Sequence, residues 1–314
     1  MNSLTDIKRT ILLTGATGFL GSHLLERFIA KGERVIALKR STSSIHRVAH
    51  LLDKAIFYDI DKTTLDEVFT KNQIHKVIHT ACCYGRRREN ASEILLANLI
   101  FPLRVLEASK KSQVRVFLNT GTLLKREVSP YALSKAQFTD WLPSYAEEMR
   151  IVDLRMEYIY GPGDSPEKLL PYVLQQLLGN ADSIPLTAGD QKRDFIYIDD
   201  VVEAILRTLE CTESGKGYSR YDIGTGTLKS IKEFLQLART ELENQLGSAV
   251  KPQLAFGAIP YRQNEAMEPE MNLEPLFSLG WKPKTRIEEG LKMTIKGFFQ
   301  LFTVNERTDE IANA

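Results

Sequence analysis

Cysteine is scarce in this chain: 314 residues contain three, Cys82, Cys83 and Cys211. Their spacing offers neither a disulfide framework nor a set of metal ligands, and no metal site is expected. Cys82 and Cys83 close an apolar run and suit small buried side chains; their number fits a reducing, cytoplasmic compartment. Surplus charge is missing too. Lys plus Arg total 41 against 40 Asp plus Glu, a net +1, so no broad field draws the protein to nucleic acid or a membrane surface. No apolar run approaches the roughly 20 residues of a membrane helix, and the opening MNSLTDIKRT lacks an apolar signal core. A soluble, cytoplasmic protein without nucleic-acid or membrane partners is therefore expected. Internal repeats and low-complexity tracts are absent. The only dense basic run, Arg86-Arg87-Arg88, reads equally as a solvated loop or a phosphate contact.

What the first half does contain is alternation. Short β-branched runs at Thr10–Thr14, Arg34–Leu38, Ala55–Tyr58, Lys76–Thr80, Arg115–Asn119 and Ile151–Leu154 are separated by turns and amphipathic stretches. Strand-helix-strand alternation builds a parallel sheet wound on both faces. Phe19, Leu20, Leu24, Leu25, Phe28 and Ile29 recur at helical spacing, and Gly32 follows as a stop. After residue 160 the alternation gives way to Gly161-Pro162-Gly163 and a more helical remainder, in which Asp199-Asp200 are expected to open and cap a helix to about Leu209. The predicted fold is an α/β, doubly wound Rossmann domain (1–162 plus about 194–224) with a smaller mixed α/β lobe (163–193 and 225–302). Residues 303–314 are expected to form a flexible tail.

The run Thr14-Gly15-Ala16-Thr17-Gly18-Phe19-Leu20-Gly21 ends a strand and opens a helix. Gly15 permits a tight turn, Gly18 lets backbone approach a pyrophosphate, and Gly21 lets the helix pack closely. The helix N-terminus presents amides and a positive dipole end to phosphates. The second strand ends in Leu38-Lys39-Arg40-Ser41. An NAD site usually places a carboxylate there for the ribose 2′-hydroxyl, whereas cations suit a 2′-phosphate. NADP(H) is therefore expected, with NAD as the alternative; the other reading of Arg40 is a solvent-facing strand end.

Tyr131 and Lys135 are four apart at the start of a helical stretch and share one helix face. An ammonium near a phenol lowers the phenol's pKa from about 10, so that it can exchange a proton near neutral pH. Upstream, Thr120-Gly121-Thr122 closes a strand with hydroxyls. Together these features resemble the extended short-chain dehydrogenase/reductase family, in its nucleotide-sugar epimerase, dehydratase and ketoreductase branch. The resemblance runs through Asp59-Ile60, His79-Thr80-Ala81, Asn98, Tyr160-Gly161-Pro162-Gly163 and the segment Arg193 to Asp200.

This likeness implies an oxidoreductase of nucleotide-linked sugars. Tyr131 would be the acid/base, Lys135 would orient it and the nicotinamide ribose, and Thr122 would bond the reacting oxygen. It extends the cofactor site to Thr17, Phe19, Leu20, Ser41, Asp59, Ile60, Thr80, Ala81 and Asn98. It implies substrate contacts at Tyr84, Tyr158, Lys168 and Leu169, with Arg193 and Arg262 on the pyrophosphate, where planar forks make bidentate bonds. Dehydratases of the family carry an acidic pair after the strand-end hydroxyls; Leu123-Leu124 stand here, so dehydration is disfavoured. Tyr131 follows Thr122 by only nine positions, and Tyr158 replaces the usual substrate asparagine. This compact loop is most similar to enzymes that reduce the 4-keto group of a CDP-linked 3,6-dideoxyhexose with NADPH. A nucleotide-sugar 4-epimerase is the alternative, and a non-catalytic NADP(H) sensor a remote one. The resemblance also implies a homodimer through the helices containing Asn98 and Tyr131–Tyr145. Leu95, Leu96, Leu99, Leu103 and Leu106 are too many for one core-facing stripe.

Overall fold

The computed structural model describes residues 9–212 and 215–312, with side chains to residue 300. Up to Met156 strands and helices largely alternate: β1 (Thr10–Thr14), α1 (Phe19–Ala30), β2 (Arg34–Lys39), β3 (Ile56–Asp59), α2 (Leu65–Lys71), β4 (Lys76–His79), α3 (Ala91–Leu95), α4 (Phe101–Lys111), β5 (Val116–Thr122), α5 (Pro130–Trp141) and β6 (Arg150–Met156). Beyond it lie β7 (Tyr158–Tyr160), α6 (Leu169–Leu177), β8 (Ser183–Leu186), β9 (Lys192–Tyr197), α7 (Ile198–Cys211), β10 (Gly217–Ile223), β11 (Leu228–Ser230), α8 (Ile231–Leu246), β12 (Gln253–Phe256), α9 (Glu274–Phe277) and α10 (Ile287–Ala312).

The chain divides into two compact units. The first comprises residues to Met156 with Val202–Ile223 and Asn272–Trp281. Its seven-stranded sheet has the order β10-β6-β5-β4-β1-β2-β3, every neighbouring pair parallel. Strands covered on both faces must be apolar throughout rather than alternating. Hence β1 reads TILLT and is buried at every position. α1 buries Phe19, Leu24, Leu25 and Phe28 against this sheet's core and ends before Gly32, whose φ of +77° any side chain would disfavour. Capping boxes Thr64/Glu67 and Asn90/Glu93 start α2 and α3.

The second unit comprises Glu157–Val201, Gly224–Met271 and the residues from Lys282 on. It holds a mixed three-stranded sheet, β11-β9-β7, and a two-stranded parallel one, β12-β8. Phe195 and Phe234 stack at 3.7 Å between ring centres in its core.

Three expectations need correcting. α7 begins at Ile198, so Asp199 and Asp200 fall inside its first turn; Asp200 accepts the amides of Lys284 and Thr285 at 2.9 and 3.0 Å instead of capping its own helix. The residues from Thr303 to Ala312, read as a tail, continue α10. β5 starts one residue late and runs on to Thr122, because the hydroxyl-bearing end pairs fully with β6.

Candidate active site

At the head of β1 the three glycines each meet a steric demand. Gly15 has φ +69°, and a Cβ there would lie 2.6 Å from the Ala81 amide nitrogen. A Cβ on Gly21 would overlap the Gly15 carbonyl. Gly18 precedes α1 as its N-cap, is exposed, and supplies no side-chain cap. The first amide bonded within the helix is that of Ser22, to Gly18 O at 2.9 Å. The preceding turn, Phe19 to Gly21, thus gathers backbone N–H groups at the positive end of a 12-residue helix. Thr17 and Leu20 flank it, both half-buried. The neighbouring strand end is tied to β1: Thr14 Oγ1 accepts the amides of Thr80 (3.2 Å) and Ala81 (3.3 Å), and Thr80 Oγ1 donates to Thr14 O at 2.7 Å. His79 is fully buried beside them, its Nδ1 2.8 Å from Thr14 Oγ1, and burial holds it well below the usual imidazole range.

The end of β2 is less basic than its sequence. Lys39 and Asp59 are register partners, with Lys39 Nζ 3.6 Å from the Asp59 carboxylate. Ser41 donates its hydroxyl to Asp59 at 2.7 Å and its amide to Asp61 at 2.8 Å. The Ser41 bond, more than Lys39, holds Asp59 below the usual carboxylate range. β2 itself carries no acid, as its sequence shows, but β3 delivers one. Ile60 follows with its amide on Lys39 O. Arg40 remains exposed, its amide bonded to Ser43 Oγ.

β5, α5 and the loop after β4 converge on Tyr131. Ser129 caps α5 by accepting the Ala132 amide at 3.1 Å, and Pro130 occupies its first position. Tyr131 therefore sits in the first turn, where its hydroxyl shares hydrogen bonds with Thr122 and with Tyr84. The Tyr84 and Tyr131 rings lie 4.8 Å apart, and the Arg86 guanidinium stands 5.3 Å over the Tyr84 ring. Thr122 Oγ1 also accepts the Leu124 amide at 3.2 Å. Lys135, one turn on from Tyr131, is 2% exposed. Asn98 lies in a single π-helical turn, Leu96–Ile100, between α3 and α4. Its amide locks the post-β4 loop, accepting from Cys83 N (2.7 Å) and donating to Cys83 O (2.8 Å) and Ser134 Oγ (3.0 Å). Burial pushes the Tyr131 phenol well above its ordinary range, against the opposing pull of Arg86, Thr122 and Tyr84; burial likewise lowers Lys135. The Tyr-Lys spacing leads one to expect a depressed phenol; the direction here is the opposite, because desolvation outweighs the charge effects.

The remaining sequence-predicted contacts lie in the second unit. Arg193 is 7% exposed and heavily engaged: it meets Glu157 at 3.2 Å, Glu265 at 2.5 Å and the Ala266 carbonyl at 2.8 Å. These bonds hold the loop that carries Arg262, itself exposed. Asp194, next in the segment, accepts the amides of Thr225 and Gly226 at 2.7 to 2.9 Å. Lys168 occupies the N-cap position of α6 ahead of Leu169, without a side-chain capping bond, and pairs with Asp164 at 3.0 Å. Tyr158 packs its ring against Phe195 (4.8 Å) and Phe234 (5.8 Å). Glu157 and Glu265 were not legible as partners of Arg193; acids scattered along a chain announce nothing until a fold pairs them. Burial pushes Glu157 up to about 7 despite Arg193.

Among the described residues no metal-binding cluster and no helix able to cross a membrane is present. Residues 11–224 match the NAD dependent epimerase/dehydratase family. Two curated relatives are CDP-abequose synthases. That of Salmonella typhimurium (strain LT2) is 32% identical over 301 residues, 93% of this chain and 99% of that protein. That of Salmonella muenchen is 34% identical over 300 residues, 92% and 98% respectively. Among solved structures, the UDP-glucose 4-epimerase of Thermotoga maritima with UDP-glucose superposes with a TM-score of 0.79 at 26% identity, covering 93% of this chain and 99% of that one.

Proposed function

The chain belongs to the NAD dependent epimerase/dehydratase family, an NAD(P)-dependent oxidoreductase, and from that premise we propose that it reduces the 4-keto group of a CDP-linked deoxyhexose with NADPH. The carrying observation is the hydroxyl cluster of Thr122 and Tyr131, with Lys135 buried behind it and Leu123-Leu124 where a dehydratase needs acids. The two CDP-abequose synthases support the substrate class. The glycine cradle fits a dinucleotide: Gly15 and Gly21 occupy places a Cβ would fill, and the uncapped start of α1 offers amides to a pyrophosphate. Thr17, Phe19 and Leu20 would line it. Asp59 and Ile60 would border the adenine, while Thr80, Ala81 and Asn98 border the nicotinamide half. Arg40, exposed beside Ser41, would take the 2′-phosphate, Lys39 being engaged by Asp59.

NADPH, when bound, supplies the hydride. Tyr131 gives its hydroxyl proton to the C4 oxygen, and Thr122 holds that oxygen by a hydrogen bond. A phenol kept protonated by burial suits a donor, the role reduction requires. Tyr84, bonded to Tyr131, would border the same oxygen. Arg262 would take the diphosphate of the substrate, with Arg193 bracing its loop. Lys168, Leu169 and Tyr158 would border the nucleotide and sugar. Two copies would pair through α3, α4 and α5.

One observation favours a second reading. Asp59, at the end of β3 beside the end of β2, offers the acid an NAD site uses, and an epimerase retains NAD. The experiment is a screen of 4-keto nucleotide sugars. Stoichiometric NADPH oxidation with a CDP-linked 4-keto sugar is expected; interconversion of C4 epimers without added cofactor would replace reductase by epimerase.

A further inference from the structure

One rung of polar side chains crosses four strands beneath α5. In register, His79 of β4 lies beside Asn119 of β5, Asn119 beside Asp153 of β6, and Asp153 beside Arg220 of β10. Asn119 shares its strand face with Phe117, two residues away, and the Phe117 ring meets Phe138 of α5 at 6.3 Å. The rung thus faces α5. Asp153 is fully buried there. Its carboxylate accepts from Asn119 Nδ2 at 2.7 Å, Arg220 Nε at 3.2 Å and the Tyr218 hydroxyl at 3.4 Å. A carboxylate must take the N–H side of the amide, so Asn119 turns its Oδ1 away; that oxygen is buried without a hydrogen-bond partner.

α5 runs against the direction of β5 over this face. Tyr131 bonds Thr122 at the strand's end, and Phe138 meets Phe117 near its start. Lys135 lies between them on the same helix face, which sets it at the level of the Asn119 rung. Four titratable groups surround it: Tyr131 on its own helix, the Cys82 thiol from the loop after β4, the His79 imidazole, held neutral, and Asp153. Asp153 is the carboxylate of this set. A lysine 2% exposed loses its charge readily unless an anion opposes the desolvation. Burial lowers Lys135 on balance; Cys82 and, after it, Asp153 act against that burial.

We propose that Asp153 is the buried counter-charge of Lys135, a positioning residue that keeps the lysine cationic and aimed at Tyr131 without touching substrate. Arg220, its guanidinium partly in solvent, moderates that charge. The proposal rests on the reading of Tyr131 and Lys135 as the proton relay. A sheet clamp between β5, β6 and β10 would need the same bonds, so the test must separate charge from scaffolding.

Two substitutions of opposite sign do so. Asp153→Asn leaves Arg220 unopposed and should lower the pKa of Lys135 by about one unit or more. Arg220→Gln frees the Asp153 charge and should raise it. Both are read without substrate, from the pH titration of the Lys135 ε-methylene signal in protein carrying ¹³C-lysine, assigned with Lys135→Arg. The alkaline limb of kcat/KM should move the same two ways. A Lys135 pKa unchanged in both variants, or shifted in one common direction, overturns the proposal. Should Asp153→Asn not fold, the double variant Asp153→Asn/Arg220→Gln removes both charges, and Lys135 should titrate below its value in Arg220→Gln; equality would overturn it. An inactive wild type with shifting Lys135 titrations would sink the ketoreductase reading and leave this one standing.

Discussion

Tyr131 concentrates the chemistry in one hydroxyl. Tyr131→Phe removes that hydroxyl and little volume, so kcat should fall by roughly 10²–10⁴, the usual worth of a positioned acid. Affinity for NADPH, followed by fluorescence titration, should stay nearly constant; a variant that turned over normally would remove Tyr131 from the mechanism. Arg40 is the exposed cation beside Ser41. Arg40→Asp turns attraction for a 2′-phosphate into repulsion and should erase most of the preference for NADPH over NADH, whereas equal Kd values for both cofactors in the wild type would deny any preference. Glu157 sets a pH dependence. Its folded pKa of about 7 lies above the unfolded value of roughly 4.3, so the folded state binds the extra proton between them. Its favourable share of stability is therefore present below pH 4.3 or so and lost as pH rises towards 7. Urea midpoints measured from pH 5 to 7.5 should decline more steeply in the wild type than in Glu157→Gln; parallel curves would contradict this.

α1 illustrates how an element positions a site by what it omits. Its N-cap has no side chain, and its third residue, Gly21, has no Cβ to strike the Gly15 carbonyl. Gly21→Ala must push the helix off the β1 loop. Overpacking of this kind costs roughly 1–3 kcal/mol, and the displaced amides should weaken cofactor binding as well. Calorimetry should show a lower Tm with a smaller shift on adding NADPH; an unchanged shift would detach Gly21 from the cofactor site. The π turn between α3 and α4 performs the complementary task. It inserts an extra residue into the helix and aims the fully buried Asn98 at both polar atoms of the Cys83 backbone.

The five leucines that exceeded a single core stripe divide when the chain folds. Leu106 is fully buried, Leu99 and Leu103 pack partly against the core, and Leu95 and Leu96 are 38% and 54% exposed. Leu133 and Trp141 of α5 are likewise exposed. Apolar side chains left outside on two helices of one unit fit an isologous dimer. Leu96→Arg should shift sedimentation from dimer to monomer at micromolar concentration while the far-UV circular dichroism stays unchanged. A wild type that sediments as a monomer would remove the dimer altogether.

The order of strands and helices through β6 was readable in the linear chain, because both-face burial forces apolar β-branched runs and helix faces recur every third or fourth position. So was the glycine cradle, whose steric demand is local, and the pairing of Tyr131 with Lys135, set by one helical turn. What lay beyond such reading depends on residues far apart. Asp59 reaches Lys39 and Ser41 across a strand pair, Arg193 meets Glu157 and Glu265 from separate loops, and Asp200 holds the Lys284 and Thr285 amides. None of these partners has a spacing that a helix or strand would impose. The protonation state of Tyr131 belongs with them: sequence supplies the lysine, but burial, a property of the packed molecule, outweighs the charges around the phenol.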